Sequence, residues 1–170
     1  MEKSGVKDKK AQLKLSFGMI FSIILIIVFI TVAFYGIRTF LNLQDTAQIA
    51  TFTSDLNSDV DSVWKSTQSS QRQEYFVPSK VSHVCFIDFA IPAKGANSFF
   101  YDDLKRSYFG SENLVFYPFG STEKGSAEIK NIDIEATTQS ENPFCIQNVD
   151  GVVELTLVKN FSDALVTVKR

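Results

Sequence analysis

Two cysteines, Cys85 and Cys145, are the side chains of this sequence best suited to covalent chemistry. Each lies in a stretch that has the residue pattern of a β-strand. Outside the cytoplasm such a pair most often forms a disulfide, and closing so long a loop stabilises a domain by about 4 kcal/mol on the chain-entropy model. We therefore predict a Cys85–Cys145 disulfide. Two free buried thiols are the alternative, which a cytoplasmic domain would favour.

A metal site is the third interpretation of the cysteines. His83 precedes Cys85 by two residues, so that both side chains would project to one face of a strand, and Cys145 would complete three ligands. However, His83 is the only histidine, and no CxxC or HxxxH spacing supplies a fourth ligand. We therefore predict that the protein binds no metal and needs no cofactor.

Carboxylate pairs and nucleophile motifs give no sign of catalysis. Asp102 and Asp103 are adjacent, so that in a strand they would point to opposite faces, which is poor geometry for sharing a proton. Asp55 and Asp59 lie four residues apart on a predicted helix, without the turn-forming loop that a calcium site usually needs. The sequence has no nucleophile elbow, phosphate-binding loop or dinucleotide fingerprint. We predict no catalytic residue and no enzyme.

Asn160-Phe161-Ser162 has the form of an acceptor sequence for N-linked glycosylation. It lies in a predicted hairpin loop of the C-terminal part of the chain, which we expect to lie outside the cytoplasm. A triplet this short also arises by chance. Asn160 is therefore a candidate glycosylation site in a host that performs the modification.

The position of all these residues depends on one uncharged apolar run, residues 15–37. Roughly 23 residues at about 1.5 Å each reach about 34 Å, enough to cross a hydrocarbon core of about 30 Å. Because a backbone in lipid must satisfy its own hydrogen bonds, we predict a transmembrane α-helix. The run is too long for an ordinary cleaved secretory signal, and no A-x-A-like site follows it.

The distribution of charge predicts the orientation of this helix. Residues 1–14 carry five lysines against two acidic residues, and basic residues close to a span stay in the cytoplasm. From residue 39 onward, acidic residues outnumber basic ones. We therefore expect a cell-membrane protein with a cytoplasmic N-terminus and an extracytoplasmic C-terminal domain. An acidic domain also argues against nucleic acid as a partner.

Beyond the span, apolar residues recur every three or four positions without an interrupting proline or glycine, which predicts an amphipathic helix. Residues 66–73 are polar and are interpreted as the helix end and a linker. The apolar stripe is expected to pack either on the chain's own domain or on other copies in a bundle or filament. The residues of this predicted helix seam are Ile49, Phe52, Leu56, Val60 and Val63.

The C-terminal part of the chain has the alternation and turn signals of antiparallel β-structure. Asp150-Gly151 between two β-rich runs predicts a hairpin, within a meander from about residue 144 to 169. Further strands are predicted at residues 81–91, 114–119 and 128–138. The predicted fold class is therefore α+β: a long N-terminal helix, transmembrane and then an amphipathic stalk, followed by an antiparallel β-sheet or small β-sandwich.

These expectations divide the chain into four parts. They are a basic cytoplasmic leader (1–14), a transmembrane helix (15–37), an amphipathic stalk helix with its linker (38–73) and an extracytoplasmic β domain (74–170).

The sequence Lys9-Lys10-Ala11-Gln12 lies just ahead of the apolar run. A basic-Ala-Gln sequence in this place resembles the class III signal of archaeal type IV pilin-like proteins. The resemblance implies that a membrane peptidase cuts between Ala11 and Gln12 and leaves the apolar helix in place. The sequence departs from the family at Ser16, where classical members carry glutamate, and at Lys14, which delays the apolar run. A helix followed by a β head is also the plan of that family.

Together these features predict a single-pass, membrane-anchored structural or accessory protein outside the cytoplasm. Its finer form is a pilin-like subunit of a surface assembly. The expected partners are the lipid bilayer and, in an assembly, other copies of the chain or other envelope subunits. The alternative is a monomeric anchored binding module that presents its β domain to a ligand or partner.

Overall fold

The computed structural model describes residues 17–107 and 110–170 of the chain, which divides into two compact units after Leu41. One α-helix, α1 (Phe17–Lys65), supplies the described residues of the first unit and the beginning of the second. The chain has the predicted α+β class, a long N-terminal helix followed by antiparallel β-sheets.

The second unit contains seven strands in two antiparallel sheets among the described residues. In chain order the strands are β1 (Ser69–Phe76), β2 (His83–Phe86), β3 (Leu114–Tyr117), β4 (Ser126–Ala127), β5 (Phe144–Gln147), β6 (Val152–Lys159) and β7 (Thr167–Lys169). One sheet has the order β1-β6-β7 and the other has the order β4-β3-β2-β5. Short helices α2 (Tyr101–Leu104) and α3 (Ile134–Thr137) follow β2 and β4 respectively.

The main hydrophobic core lies where both sheets meet the second part of α1. Strand β6 contributes Val153, Leu155 and Leu157, alternate residues that all point inward because side chains of a strand alternate between its faces. Phe52 of α1 makes edge-to-face contacts with Tyr75 of β1 at 5.4 Å and with Phe116 of β3 at 5.7 Å between ring centroids. One helix residue therefore joins the two sheets.

The opposite face of the four-stranded sheet is also covered. A second cluster of buried side chains lies there, formed by Cys85, Ile87, Phe100, Leu104, Val115 and Cys145. Since β2 is buried on both faces, its sequence is an almost continuous apolar run, as strands covered on both sides typically are.

The predicted linker at residues 66–73 is wrong, because Ser69–Phe76 form strand β1. This strand lies at the edge of its sheet and buries only Tyr75 fully. The six residues before Tyr75 are all polar, so that the sequence lacks the apolar alternation by which a strand is normally found. The compact unit that begins at Asn42 contains both the stalk part of α1 and this strand.

The predicted strand at residues 128–138 is also wrong. Only Ile132 pairs in a strand-like way, in an isolated parallel bridge with Val166. Asp133 then caps helix α3, since its Oδ1 accepts a hydrogen bond from the backbone N–H of Ala136 at 2.8 Å. Two strand predictions were too long: residues 81–91 form a strand only at His83–Phe86, and residues 114–119 only at Leu114–Tyr117.

The predicted meander fails at its first turn. Asp150 and Gly151 do form a tight turn with positive φ angles, closed by hydrogen bonds between the backbones of Val149 and Val152. The turn connects two sheets, however, because β5 pairs with β2 whereas β6 pairs with β1. The side chain of Asn148 holds this crossover by donating to the carbonyls of Pro78 and Val81.

Arg170 covers the outer edge of strand β5. Its Nη2 donates to the carbonyl oxygen of Cys145 at 2.8 Å and forms an ion pair with Glu141 at 2.5 Å. The guanidinium carbon lies 4.8 Å from the centroid of the Phe144 ring, a cation–π arrangement. A backbone acceptor of an edge strand is thereby occupied by a side chain.

Candidate functional site

The first surface with a functional meaning is the apolar part of α1. Of the described residues, this helix is the one segment long and apolar enough to cross a membrane by length and composition. Every side chain from residue 17 to 41 is exposed, with the large apolar ones ranging from 38% at Leu25 to 84% at Phe17. No part of the described chain covers this surface, which is therefore suited to lipid or to other helices.

Three hydroxyl side chains in this part of α1 are paired with the helix backbone. The hydroxyl groups of Ser22, Thr31 and Thr39 each donate to the carbonyl oxygen four residues earlier, at distances of 2.8, 2.8 and 3.0 Å. A hydroxyl that is bonded to its own helix costs little in hydrocarbon, where an unpaired polar group costs several kcal/mol. These hydroxyl groups therefore do not prevent the segment from lying in a membrane.

The predicted helix seam is buried within the second unit. Ile49, Phe52, Leu56, Val60 and Val63 are the buried residues of α1, and their exposed fractions do not exceed 5%. The chain's own sheets cover this stripe, as the main core shows. The sequence predicts that the apolar stripe packs either on the chain's own domain or on other copies. In the structure it packs on the chain's own domain.

The opposite face of the same helix part carries small side chains. Ala47, Thr51, Ser54, Ser58 and Ser62 are all exposed and recur at spacings of three and four residues, which places them on one face. Two carboxylates, the exposed Asp55 and the half-buried Asp61, flank this face. Small, uncharged side chains allow another helix to approach closely.

Cys85 and Cys145 form a disulfide that joins strands β2 and β5, where the two residues are paired directly in register. The predicted pairing is confirmed, and it leaves neither sulfur as a thiol or as a thiolate ligand for a metal. Both residues are buried in the second cluster. The bridge therefore has a structural position, under a layer formed by Ile87, Phe100 and Leu104.

His83 lies on the same face of β2 as Cys85, but its neighbours are aromatic. Its ring is 5.0 Å from that of Phe100 and 6.2 Å from that of Tyr117, and its Nδ1 is 3.2 Å from the hydroxyl of Ser82. Burial lowers the pKa of His83. Among the described residues, no three His, Cys, Asp or Glu side chains are grouped as a metal site.

The two carboxylate pairs that the sequence singled out lie on different elements of the structure. Asp103 pairs with Arg106 at 3.6 Å on one short helical segment, where Asp102 also lies. Asp59 of α1 accepts a hydrogen bond of 2.8 Å from the hydroxyl of Tyr75, whereas Asp55 is exposed. Burial and the hydrogen bond to Asp59 raise the pKa of Tyr75. Sequence reasoning missed this contact because it joins residues of different elements.

Asn160 lies in the exposed loop between β6 and β7, as predicted. Its backbone N–H and its Nδ2 both donate to Oδ2 of Asp163, at 2.9 and 2.8 Å. The hydrogen bond from the backbone of Asn160 is the main cause that lowers the pKa of Asp163. The proposed cleavage residues Ala11 and Gln12 lie outside the described residues.

A cleft of about 470 Å³ lies beside α1 and was not predicted from the sequence. Ile49, Ala50 and Thr53 line it from the helix, and Ser126 and Ala127 line it from strand β4. At one end, Glu123 accepts a hydrogen bond from the hydroxyl of Thr46 at 3.2 Å. The lining is mainly apolar, so the cleft is suited to an apolar side chain or small molecule.

Comparison with protein-family models, with curated proteins and with solved structures finds no match to this chain.

Proposed function

We propose that this protein is a single-pass, membrane-anchored structural or accessory subunit of a pilus-like or envelope assembly, with its β domain outside the cytoplasm. The observation that carries the proposal is the composition of α1. Its first part exposes apolar side chains on all sides, and its second part forms the core of the folded unit. A helix of this kind suits a protein that is anchored in a membrane and carries a folded domain.

Charge and redox chemistry both support the proposed compartment of the domain. Five lysines precede the span, and positive charge close to a span favours the cytoplasmic side. A structural disulfide is typical of an oxidising compartment, which agrees with a domain on the other side. Both arguments support the same orientation.

The assembly part of the proposal is supported by the small-residue face of α1 and by the pilin-like leader. Because the chain's own sheets already cover the apolar stripe, contacts between copies would use the apolar span and the face of Ala47, Thr51, Ser54, Ser58 and Ser62. This face lies beyond the span, where small side chains would let the helix of a neighbouring copy approach closely. The processing proposal places the mature N-terminus at Gln12.

Topology and processing can be tested in one experiment on sealed cells. We expect protease added outside to digest the β domain, and mass analysis of the intact protein to give an N-terminus at Gln12. A domain that is digested only after the cells are opened would contradict the surface role. An intact leader would contradict the pilin-like form of the proposal. The proposal of a membrane-anchored protein would then still stand.

Assembly can be tested with single cysteines in native membranes. We expect Ser58→Cys to form cross-linked dimers on mild oxidation, because Ser58 lies in the middle of the small-residue face. Ser140→Cys is the matched control, since Ser140 is also exposed but lies in the segment after α3 and not on α1. Equal cross-linking of both variants, or of neither, would contradict packing through this face.

A monomeric anchored binding module is the second candidate, and the cleft beside α1 favours it. If the cleft binds a ligand or partner, the variant Ala127→Trp should abolish that binding because the indole would fill the apolar lining. Wild-type protein that remains strictly monomeric in detergent at all concentrations would favour this candidate over the assembly.

A further inference from the structure

The loop that contains Asn160 is held firmly against the end of α1. Nε1 of Trp64 donates to the carbonyl oxygen of Ala164 at 3.0 Å, and Nζ of Lys159 donates to the carbonyl oxygens of Trp64 and Ser66. The backbone N–H of Asp163 donates to the carbonyl oxygen of Asn160 at 3.1 Å, which closes a turn. The acceptor triplet is therefore presented on an ordered, exposed turn.

The same end of the domain exposes apolar side chains. Phe161 is 80% exposed, Trp64 is 38% exposed and Leu165 is 37% exposed. We call these three residues the loop cluster. Grouped apolar side chains on a surface, unlike single ones, often mark a place that another group covers. The turn of residues 160–163 has no large apolar side chain other than Phe161. A group that covers the loop cluster would therefore have to come from outside the turn.

We propose that Asn160 carries an N-linked glycan and that this glycan covers the loop cluster. The inference rests on the extracytoplasmic orientation of the proposed function. All three residues of the triplet are exposed, so that the site is open to a transferase and the sugar is open to solvent. A glycan is bulky and solubilising, and the apolar faces of its sugar rings fit aromatic side chains such as Phe161 and Trp64.

The chemistry requires a glycosyl donor, which we assign to the class of polyisoprenyl phosphate- or diphosphate-linked sugars. A bond forms between Nδ2 of Asn160 and the anomeric carbon of the first sugar as the bond from that carbon to the phosphate oxygen breaks. The electron pair leaves with the lipid phosphate, and Nδ2 gives up one proton to a base of the transferase. No electron is gained or lost overall.

The turn tolerates the modification. The amide group of asparagine has two hydrogens on Nδ2, and one remains after the sugar is attached. That remaining hydrogen can keep the bond to Oδ2 of Asp163, and the backbone N–H of Asn160 donates to the same oxygen. The glycosylated side chain therefore needs no rearrangement of the loop.

The modification can be tested by mass spectrometry of protein purified from its native cells. Trypsin cleaves after Lys159 and Lys169 and so places the triplet in one peptide, residues 160–169. We expect this peptide to carry a glycan mass that Ser162→Thr retains and Ser162→Ala loses. An unmodified wild-type peptide would overturn the inference.

The covering of the loop cluster can be tested with Trp64, the only tryptophan of the chain. We expect acrylamide to quench its fluorescence more steeply in Ser162→Ala than in Ser162→Thr, because the indole loses its cover. Equal slopes in glycosylated and unglycosylated protein would overturn this part of the inference.

Protease accessibility separates the two proposals. An unmodified peptide from a domain that is digested from outside overturns the glycan and leaves the surface role in place. A domain that is digested only from the cytoplasmic side overturns both.

Discussion

The two parts of helix α1 differ in what covers their apolar side chains. From Phe17 to Leu41 the apolar residues are exposed on all sides, whereas from Asn42 to Lys65 one stripe of five is buried by the sheets. Both parts have the same backbone structure. The apolar surface of the first part is therefore suited to surroundings outside the chain, such as lipid. The apolar stripe of the second part is suited to the chain's own core.

The largest effect is expected from Val60→Asp, which places a carboxylate in the buried stripe. Val60 is fully buried, and an unpaired buried charge costs about 4 kcal/mol or more. Denaturant titration of the detergent-solubilised protein should show the domain largely unfolded, while the protein stays in the membrane fraction. Ser58→Asp, on the opposite face, is the control. Unchanged unfolding of Val60→Asp would contradict the division of α1 into two parts.

An aspartate in the first part of α1 should reduce membrane insertion and leave the stability of the domain unchanged. Ile27→Asp places a carboxylate in the centre of the span, where insertion is expected to cost about 3 kcal/mol. Fractionation should show less protein in the membrane, and the free energy of unfolding of the domain should be unchanged. A loss of domain stability in this variant would mean that the two parts do not act independently.

Removing the disulfide tests a contribution that belongs only to the second unit. The double variant Cys85→Ala with Cys145→Ala should lose about 2–3 kcal/mol of stability under oxidising conditions. With reductant present, wild type and variant should unfold at nearly the same denaturant concentration. An equal difference in both conditions would assign the effect to packing in the second cluster.

A smaller loss is expected from Tyr75→Phe, which removes the hydroxyl that donates to Asp59. Since the ring remains against Phe52, only the hydrogen bond is lost, at about 1 kcal/mol. Thermal unfolding of the domain measures this loss. Asp59→Asn keeps an acceptor for the Tyr75 hydroxyl but makes it neutral. This variant should therefore lose less stability than Tyr75→Phe.

The smallest effect concerns pH. Because burial holds the pKa of His83 below its ordinary value of 6.5 in the folded protein, the unfolded chain binds a proton more readily. Stability is therefore fully present above about pH 6.5 and falls as the pH is lowered through that value. His83→Phe should reduce the change in unfolding midpoint between pH 7.5 and 5.5. An unchanged slope would assign the dependence to other groups.

The sequence was sufficient where periodicity and composition act alone. The buried residues of α1 are those that recur at spacings of three and four, and the alternation of β6 predicts its buried face. The disulfide followed from two cysteines in strand-like segments and a predicted oxidising compartment.

The errors arose where tertiary contacts decide the structure. Strand β1 is polar because it lies at an edge, and the segment around Ile132 is held by one bridge to Val166 before Asp133 begins a helix. The tight turn at Asp150-Gly151 was recognised locally, but its two flanking strands join different sheets. No pattern within five residues could indicate that division, because the partners β1 and β2 lie far earlier in the chain.

Arg170 has a consequence for how such domains meet one another. Open strand edges invite neighbouring molecules to add their own strands, which leads to uncontrolled sheet growth. At β5 the guanidinium already occupies the Cys145 carbonyl and is itself paired with the carboxylate of Glu141. This edge therefore offers one backbone acceptor fewer to a strand of a neighbouring domain.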